Sequence, residues 1–558
     1  MSEDLGSRFA REHSGSLAAR RFSRRQVIER STIGGAGGMA MVLANKAGSL
    51  AAQEFDPDFL GGMTEDERAA LLEAVAGPGE GRAPDSGTEG QESGEGGELR
   101  FLLWEAPQAL SPHNSSVYAD HLAAALVIEP LMHFLADGTL IPNLVKEVPT
   151  VENGLLATDL TSVTYKLLEG VTWSDGEPFS AEDVQFTWEW NLDELNSSRS
   201  RWQAIRIDNV EIVDDLTVTI HFKETNPTWF EAHAGTLHGS IYPNHVLGVN
   251  GSTLLVDFLR KPIGTGPYKV ESFTQYESVS FVVNEHYREP NKPWFSTVTM
   301  EQHESPEEGT RAFFEDGNYD FCWNPDGEPA ATDILEAYPT LRSSEQPPSH
   351  DPERAMQVLD DAGWVESSGV RSKDSVALEL TYVAVTGEPH TTTQEIVKAN
   401  LEAVGFRVEL LAIDRSIFYN QSPGNEQSWK GFRADIQLYE PVLDVPIPLG
   451  VLTSWYAGPD VGNIPQLENE WRGLNVTRYI NPEYDALYEQ ALTEADPATL
   501  ADLCIQMNDI VAGDLVTIPL GQIRRRNACV NTLNKANFEF GPFSHHTWNI
   551  ANWNRIPE

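Results

Sequence analysis

Three carboxylates, Asp175, Glu182 and Asp183, lie close together in "VTWSDGEPFSAEDVQFTWE", and paired carboxylates are the equipment of glycoside hydrolysis. Such a pair must face one cleft. Here Gly176 marks a tight turn behind Asp175, and "SAED" from Ser180 has the form of a helix start with Asp183 reaching back to the cap. The acids have caps and turns to make, so the reading is scaffold and not hydrolase. Thiol and metal chemistry lack the spacing they need. Cys322, Cys504 and Cys529 form no C-x-x-C pair, and His233/His238 and His545/His546 do not fit H-E-x-x-H. One disulfide is open to an oxidising compartment, with one thiol left over. No G-x-S-x-G elbow is written, and we expect no enzyme, no metal and no cofactor.

Charge narrows the field further. With 84 acidic against 39 basic residues the formal net charge is −45, a surface that repels phosphate backbones and disfavours nucleic acid. It keeps an exported protein soluble and weakly favours cationic solutes. The N-terminal stretch supplies the address: Arg24–Arg25 precede a short apolar run, Ile33 to Ala44, with small residues near Ser49–Ala52. This has the form of a signal peptide (1–52), either of the twin-arginine type or an ordinary basic leader, and the protein is expected in the periplasm or at the cell surface. The run is shorter than the ~20 residues of a spanning helix.

The elements that must position any site follow. "TEDERAALLEAVAG" reads as a short helix capped by Thr64, and the Gly-, Glu- and Ser-rich stretch after it as a flexible linker, the two making an acidic segment over 53–97. The folded body is expected to begin at "ELRFLLWEAP", a strand from Glu98. Further strands are "LTVTIHF" (216–222), "VSFVVN" (279–284) and "RVELLAI" (407–413); helices are "DPERAMQVLDDAGW" (351–364) and "HTTTQEIVKANLEAVGF" (390–406), closing at Gly405. A helical pair follows over "NPEYDALYEQALTE" and "DPATLADLCIQMNDIVAGD". This is an α/β chain with more than one sheet.

Taken together, "WSDGEPFSAEDVQFTW", "RKPIGTGPYKVESFTQYESVSFVVNEHYRE", "AFFEDGNYDFCWN", the "AGW" helix and Gly473–Leu520 resemble, in order, the extracellular solute-binding proteins of family 5, the dipeptide/oligopeptide-binding subunits of ABC importers. The family's helical region before the "AGW" helix is not found, an apparent internal deletion around 330–350 that a natural truncation, an assembly error or a decaying gene would each produce.

The resemblance implies a two-lobed periplasmic binding protein-like fold of the class II/cluster C type, with mixed sheets and a hinge. Its lobe I would be 98–140, 256–340 and 531–558, with an extra subdomain over 141–255, and a shortened lobe II would be 341–530. It implies a monomer that captures a solute, foremost a peptide, by closure and hands it to membrane permease subunits. A binding-only, sensory or degenerate paralogue and a secreted carboxylate hydrolase are the alternatives. On the same resemblance Asp444 would meet a peptide's α-amine, although it is equally suited to the turn before Pro446. Trp455, Tyr439 and Trp104 would be aromatic walls or core, and Glu105 would point into the cleft or simply into water.

Overall fold

In a computed structural model, the structure describes residues 85–323 and 351–556, apart from 104, 116, 251–254, 304–308, 310, 314, 388–389, 420–424, 426, 432–433, 439–445, 470, 472, 519–526 and 542. All of them belong to one compact unit, Ala83–Glu558. The signal-like segment, the Thr64 helix and the apparent deletion around 330–350 lie outside the described residues.

The centre is a six-stranded mixed sheet in the order β17-β10-β1-β9-β8-β7. Its strands are β1 (Glu98–Leu103), β7 (Tyr268–Thr274), β8 (Ser278–Val283), β9 (Thr297–Gln302), β10 (Phe321–Trp323) and β17 (Asn527–Cys529). β1 pairs in parallel with β9 on one side and β10 on the other, so Phe101 stands between Met300 and Phe321. Leu99, Phe101 and Leu103 enter the main core, while Leu102 packs on the opposite face with Phe313 and Tyr319. That is the period-two alternation of a strand buried on both faces. The C-terminal segment returns to this sheet, and Trp553 stacks on Phe101 at 5.7 Å.

A second layer holds the β2–β3 hairpin (Met132–Phe134, Leu140–Pro142) and the sheet β4-β6-β5 (Ser162–Lys166, Thr217–Phe222, Ile207–Asp214). The helix Ala181–Leu192 packs on β5 and β6. Its capping box forms as expected: Asp183 accepts from the Ser180 amide at 2.9 Å, and Ser180 Oγ accepts from the Glu182 amide at 3.3 Å. Asp183 also accepts from the Asn244 amide (2.9 Å) and the buried Trp173 indole (3.3 Å), while Asp175 pairs with His245 at 2.8 Å. These carboxylates are occupied by structure. Burial pushes the Asp183 carboxyl above the usual aspartate range.

The remaining part carries the small antiparallel sheet β11-β12-β13 (Val365–Ser367, Val370–Lys373, Val376–Ala377) and the sheet β15-β14-β16 (Arg407–Ile413, Glu379–Val385, Ile436–Gln437). β14, the helix His390–Ala403 and β15 form a strand–helix–strand unit whose strands pair in parallel. Gly405, at φ +101°, supplies the left-handed turn that ends the helix. The helices Pro482–Ala491 and Pro497–Gly513 make a separate core with Leu449 and Leu452. Ile447 packs against both this core and that of the second layer, and Arg206 donates to the Leu492 carbonyl at 2.6 Å.

One sequence expectation changes. Residues 85–97 are not a free linker: the amides of Gly94 and Gly96 donate to the carbonyls of Pro293 and Trp294, and Asn537 and Asn554 donate to the carbonyls of Ser86 and Gly87. Backbone hydrogen bonds, not apolar burial, hold this stretch. All three cysteines are free thiols. Cys322 lies opposite Ala528 and Cys529 opposite Phe321, so adjacent-strand geometry sends the two sulfurs to opposite faces of the sheet.

Replacing Asp183 with Ala orphans three buried or half-buried donors and should lower unfolding free energy by about 2 kcal/mol or more. Urea denaturation would read this as a fall in midpoint at unchanged slope.

Candidate functional site

Where neighbouring strands run in parallel, their carboxyl ends open onto a common crevice. β9, β1 and β10 provide such an end, and three features converge on it. The first is the loop after β1. The Ala106 amide donates to Gln302 Oε1, at the end of β9, at 2.9 Å. Asp120, in the first turn of the helix Tyr118–Ala124, accepts the Gln108 amide and the Ser115 hydroxyl, each at 2.5 Å. The loop carrying Glu105 is thereby fastened just after it, at Ala106 and Gln108.

Asp120 is buried, and burial pushes its carboxyl up to about 7; its hydrogen bonds oppose the shift and the charge of Glu105 adds to it. A carboxyl held this high favours the folded state when protonated. Its contribution is complete below the ordinary aspartate range near pH 4 and is lost as pH rises through about 7.

The second feature is an aromatic shelf. Trp323, the last residue of β10, is buried beneath half-buried Tyr118, whose ring stacks on it at 4.8 Å and 5°. The third is the returning C-terminal segment. His545 stacks on His121 at 4.8 Å and lies 4.6 Å from the Tyr118 ring, with Thr236 Oγ1 2.5 Å from its Nδ1. His546 Nδ1 meets the Tyr118 hydroxyl at 2.9 Å. The arrangement presents the half-buried Tyr118 ring, backed by a buried indole and buried imidazoles, beside a carboxylate-bearing loop, which suits stacking against a solute.

Deeper in the body, His113 Nε2 must donate to the Ser240 carbonyl at 2.7 Å, so its Nδ1 accepts from Ser200 Oγ at 2.8 Å. Ser200 is 1% exposed and His113 fully buried, its imidazole held down to about 4 by burial. This serine–histidine pair is a buried strut that no substrate reaches. Among the described residues, no group of three or more His, Cys, Asp or Glu is placed to hold a metal ion, and no helix is long and apolar enough to cross a membrane.

Of the residues expected at the site, Asp444, Tyr439 and Trp104 lie outside the described residues. Glu105 sits on the fastened loop, half-buried, directly beyond the end of β1. Trp455 packs on the helical core of the C-terminal part and donates to the Thr517 hydroxyl at 3.0 Å. Among the described residues no hydrogen bond joins it to the Glu105 loop. Tyr118, Trp323, His545 and His546 were not anticipated. The only sequence signal for them was the adjacent histidine pair, which carries no ligand spacing.

The profile of "Bacterial extracellular solute-binding proteins, family 5 Middle" matches the chain in two stretches, residues 139–343 and 323–463. Protein XP55 of Streptomyces lividans is 30% identical over 39% of this chain and 37% of its own length. The nickel-binding periplasmic protein of Escherichia coli is 24% identical over 56% of this chain and 71% of its own. The chain thus matches about a third of the first relative and more of the second. Among solved structures, NikZ from Campylobacter jejuni in complex with Ni(L-His) superposes with a TM-score of 0.65 at 19% identity, over 82% of this chain and 99% of that one. The oligopeptide-binding protein AppA of Bacillus subtilis, in complex with a nonapeptide, gives 0.63 at 19%, over 84% and 100%. At such identities the likeness is one of fold, and the fold is the two-lobed periplasmic binding protein type.

The Asp120→Asn variant should lack the decline that the wild-type carboxyl imposes. Its urea midpoint should gain on the wild type between about pH 4 and pH 7 and then level off; parallel curves across that window would count against the assignment.

Proposed function

The chain belongs to the bacterial extracellular solute-binding proteins of family 5, and from that premise we propose that it is the solute-binding component of an ABC importer, closing its two lobes on an extracellular peptide and delivering it to a membrane permease. The observation that carries the proposal is the Tyr118–Trp323 shelf beside the fastened Glu105 loop, at the carboxyl ends of parallel β1 and β10. A binding protein needs a rigid half-site on one lobe, so that closure of the other converts contact energy into a conformational state. This half-site is rigid because its loop is hydrogen-bonded at Ala106 and Gln108 and the Tyr118 ring rests on a buried indole.

In this reading Asp444 receives the peptide's α-amine, and Tyr439, Trp104 and Trp455 line the space for its side chains. Export through the segment 1–52 and action as a monomer complete the proposal. Relatives named for nickel and for oligopeptides make metal chelates the second class of cargo to test.

Thermal-shift measurements against di- to decapeptides, nickel–histidine and oligosaccharides test the reading. A true ligand at a hundredfold excess over its Kd stabilises by about 2.7 kcal/mol, and a panel without any shift contradicts the proposal. For a peptide that binds, Tyr118→Ala should weaken affinity by about tenfold, the worth of one aromatic contact. The same substitution should lower unfolding free energy by about 1–3 kcal/mol, because the half-buried ring also loses its packing on Trp323.

A further inference from the structure

Arg206 crosses the boundary between two parts of the body. It follows the short helix Arg201–Ala204 in the second layer, and its guanidinium donates to the Leu492 carbonyl at 2.6 Å. Leu492 caps the C-terminus of the helix Pro482–Ala491, whose last turn carries no basic residue of its own. A helix ends in carbonyls without intrahelical partners and in a partial negative charge, so a cation placed there is favoured. Here that cation arrives from a different layer, 286 positions away in the chain.

Both ends of this contact are held in place. The Arg206 amide donates to the Gln203 carbonyl at 3.3 Å, and the Arg206 carbonyl accepts from the Lys223 amide at 3.0 Å, so the side chain leaves a fixed backbone. On the other side, the Leu492 amide donates to the Tyr488 carbonyl at 3.0 Å. Tyr488, one turn earlier on the same face, is fully buried and donates to the Leu449 carbonyl at 3.1 Å. Ile447 forms an apolar junction between the same two cores. The half-buried guanidinium has given up water at this boundary, and the Leu492 carbonyl replaces that water only while the two parts are together.

We infer that Arg206 is a latch for closure, a positioning residue that holds the second layer to the C-terminal helix pair through contacts within the protein and not through the cargo. The inference rests on the solute-binding reading and adds to it a contribution to closure that does not depend on the solute. Apparent affinity scales with the fraction of protein in the binding-competent state. Loss of the latch therefore weakens every cargo by one common factor.

Spin labels at Val213→Cys and Asp502→Cys, both exposed positions, report the separation of the two parts in a full chain whose three native cysteines are replaced by alanine. Without solute, the chain with Arg206 should show a short separation that Arg206→Met depletes by about threefold or more, the net worth of one hydrogen bond. Arg206→Lys, which keeps a cationic donor, should restore part of it. Should Arg206→Met fail to fold, Arg206→Gln, too short to reach the carbonyl, takes its place with the same outcomes. Coincident distance distributions with and without the guanidinium would overturn the latch, whether or not any solute binds. With nickel–histidine and with a pool of tri- to hexapeptides, Arg206→Met should speed dissociation by about three- to tenfold at an unchanged association rate. An unchanged dissociation rate, or a loss confined to one solute, would overturn the inference and leave the solute-binding function standing. If neither probe binds, the solute-binding reading fails for them, and the separation measurement still decides the latch.

Discussion

The parallel placement of β1 between β9 and β10 is the constraint on which the rest depends. It brings Glu105 to the same end of one sheet as Gln302 and Trp323, which lie about two hundred positions further along the chain. Parallel strands require long crossovers, so the second layer is inserted between β1 and β9, while the C-terminal part fills the interval between β10 and its antiparallel partner β17. The returning segment then closes the core, Trp553 against Phe101, and in the same passage sets His545 and His546 against Tyr118. Core and shelf are thus consequences of one strand pairing.

Electrostatics works on two scales here. The surface is strongly acidic, which acts on solubility and long-range attraction and leaves the fold itself alone. Within the body, charges are few and assigned. Glu129 with Arg288, Asp183 with three donors and Asp120 with its loop each compensate the burial of an ion by direct hydrogen bonds.

The local parts of the fold were legible in the sequence. The Ser180 capping box, the strand–helix–strand unit ending at Gly405 and the closing helix pair each follow from short-range patterns and stand as read. β10 and β17, of three residues each, are too short to carry a period. The order of residues 85–97 was hidden because backbone groups, paired with distant amides such as those of Asn537 and Asn554, provide it. The shelf was illegible for a related reason: Tyr118, Trp323 and His545 are unremarkable in type and far apart in sequence, and only topology unites them. Family resemblance pointed to Glu105 and the two-lobed fold.

The central claim is that the two parts of the body close on a bound solute. Small-angle X-ray scattering of the full chain, with and without the solute giving the largest thermal shift, tests it most directly. The account predicts a smaller radius of gyration in the liganded protein and a return to the larger value when the solute is dialysed away. An unchanged scattering profile at saturating solute would contradict it.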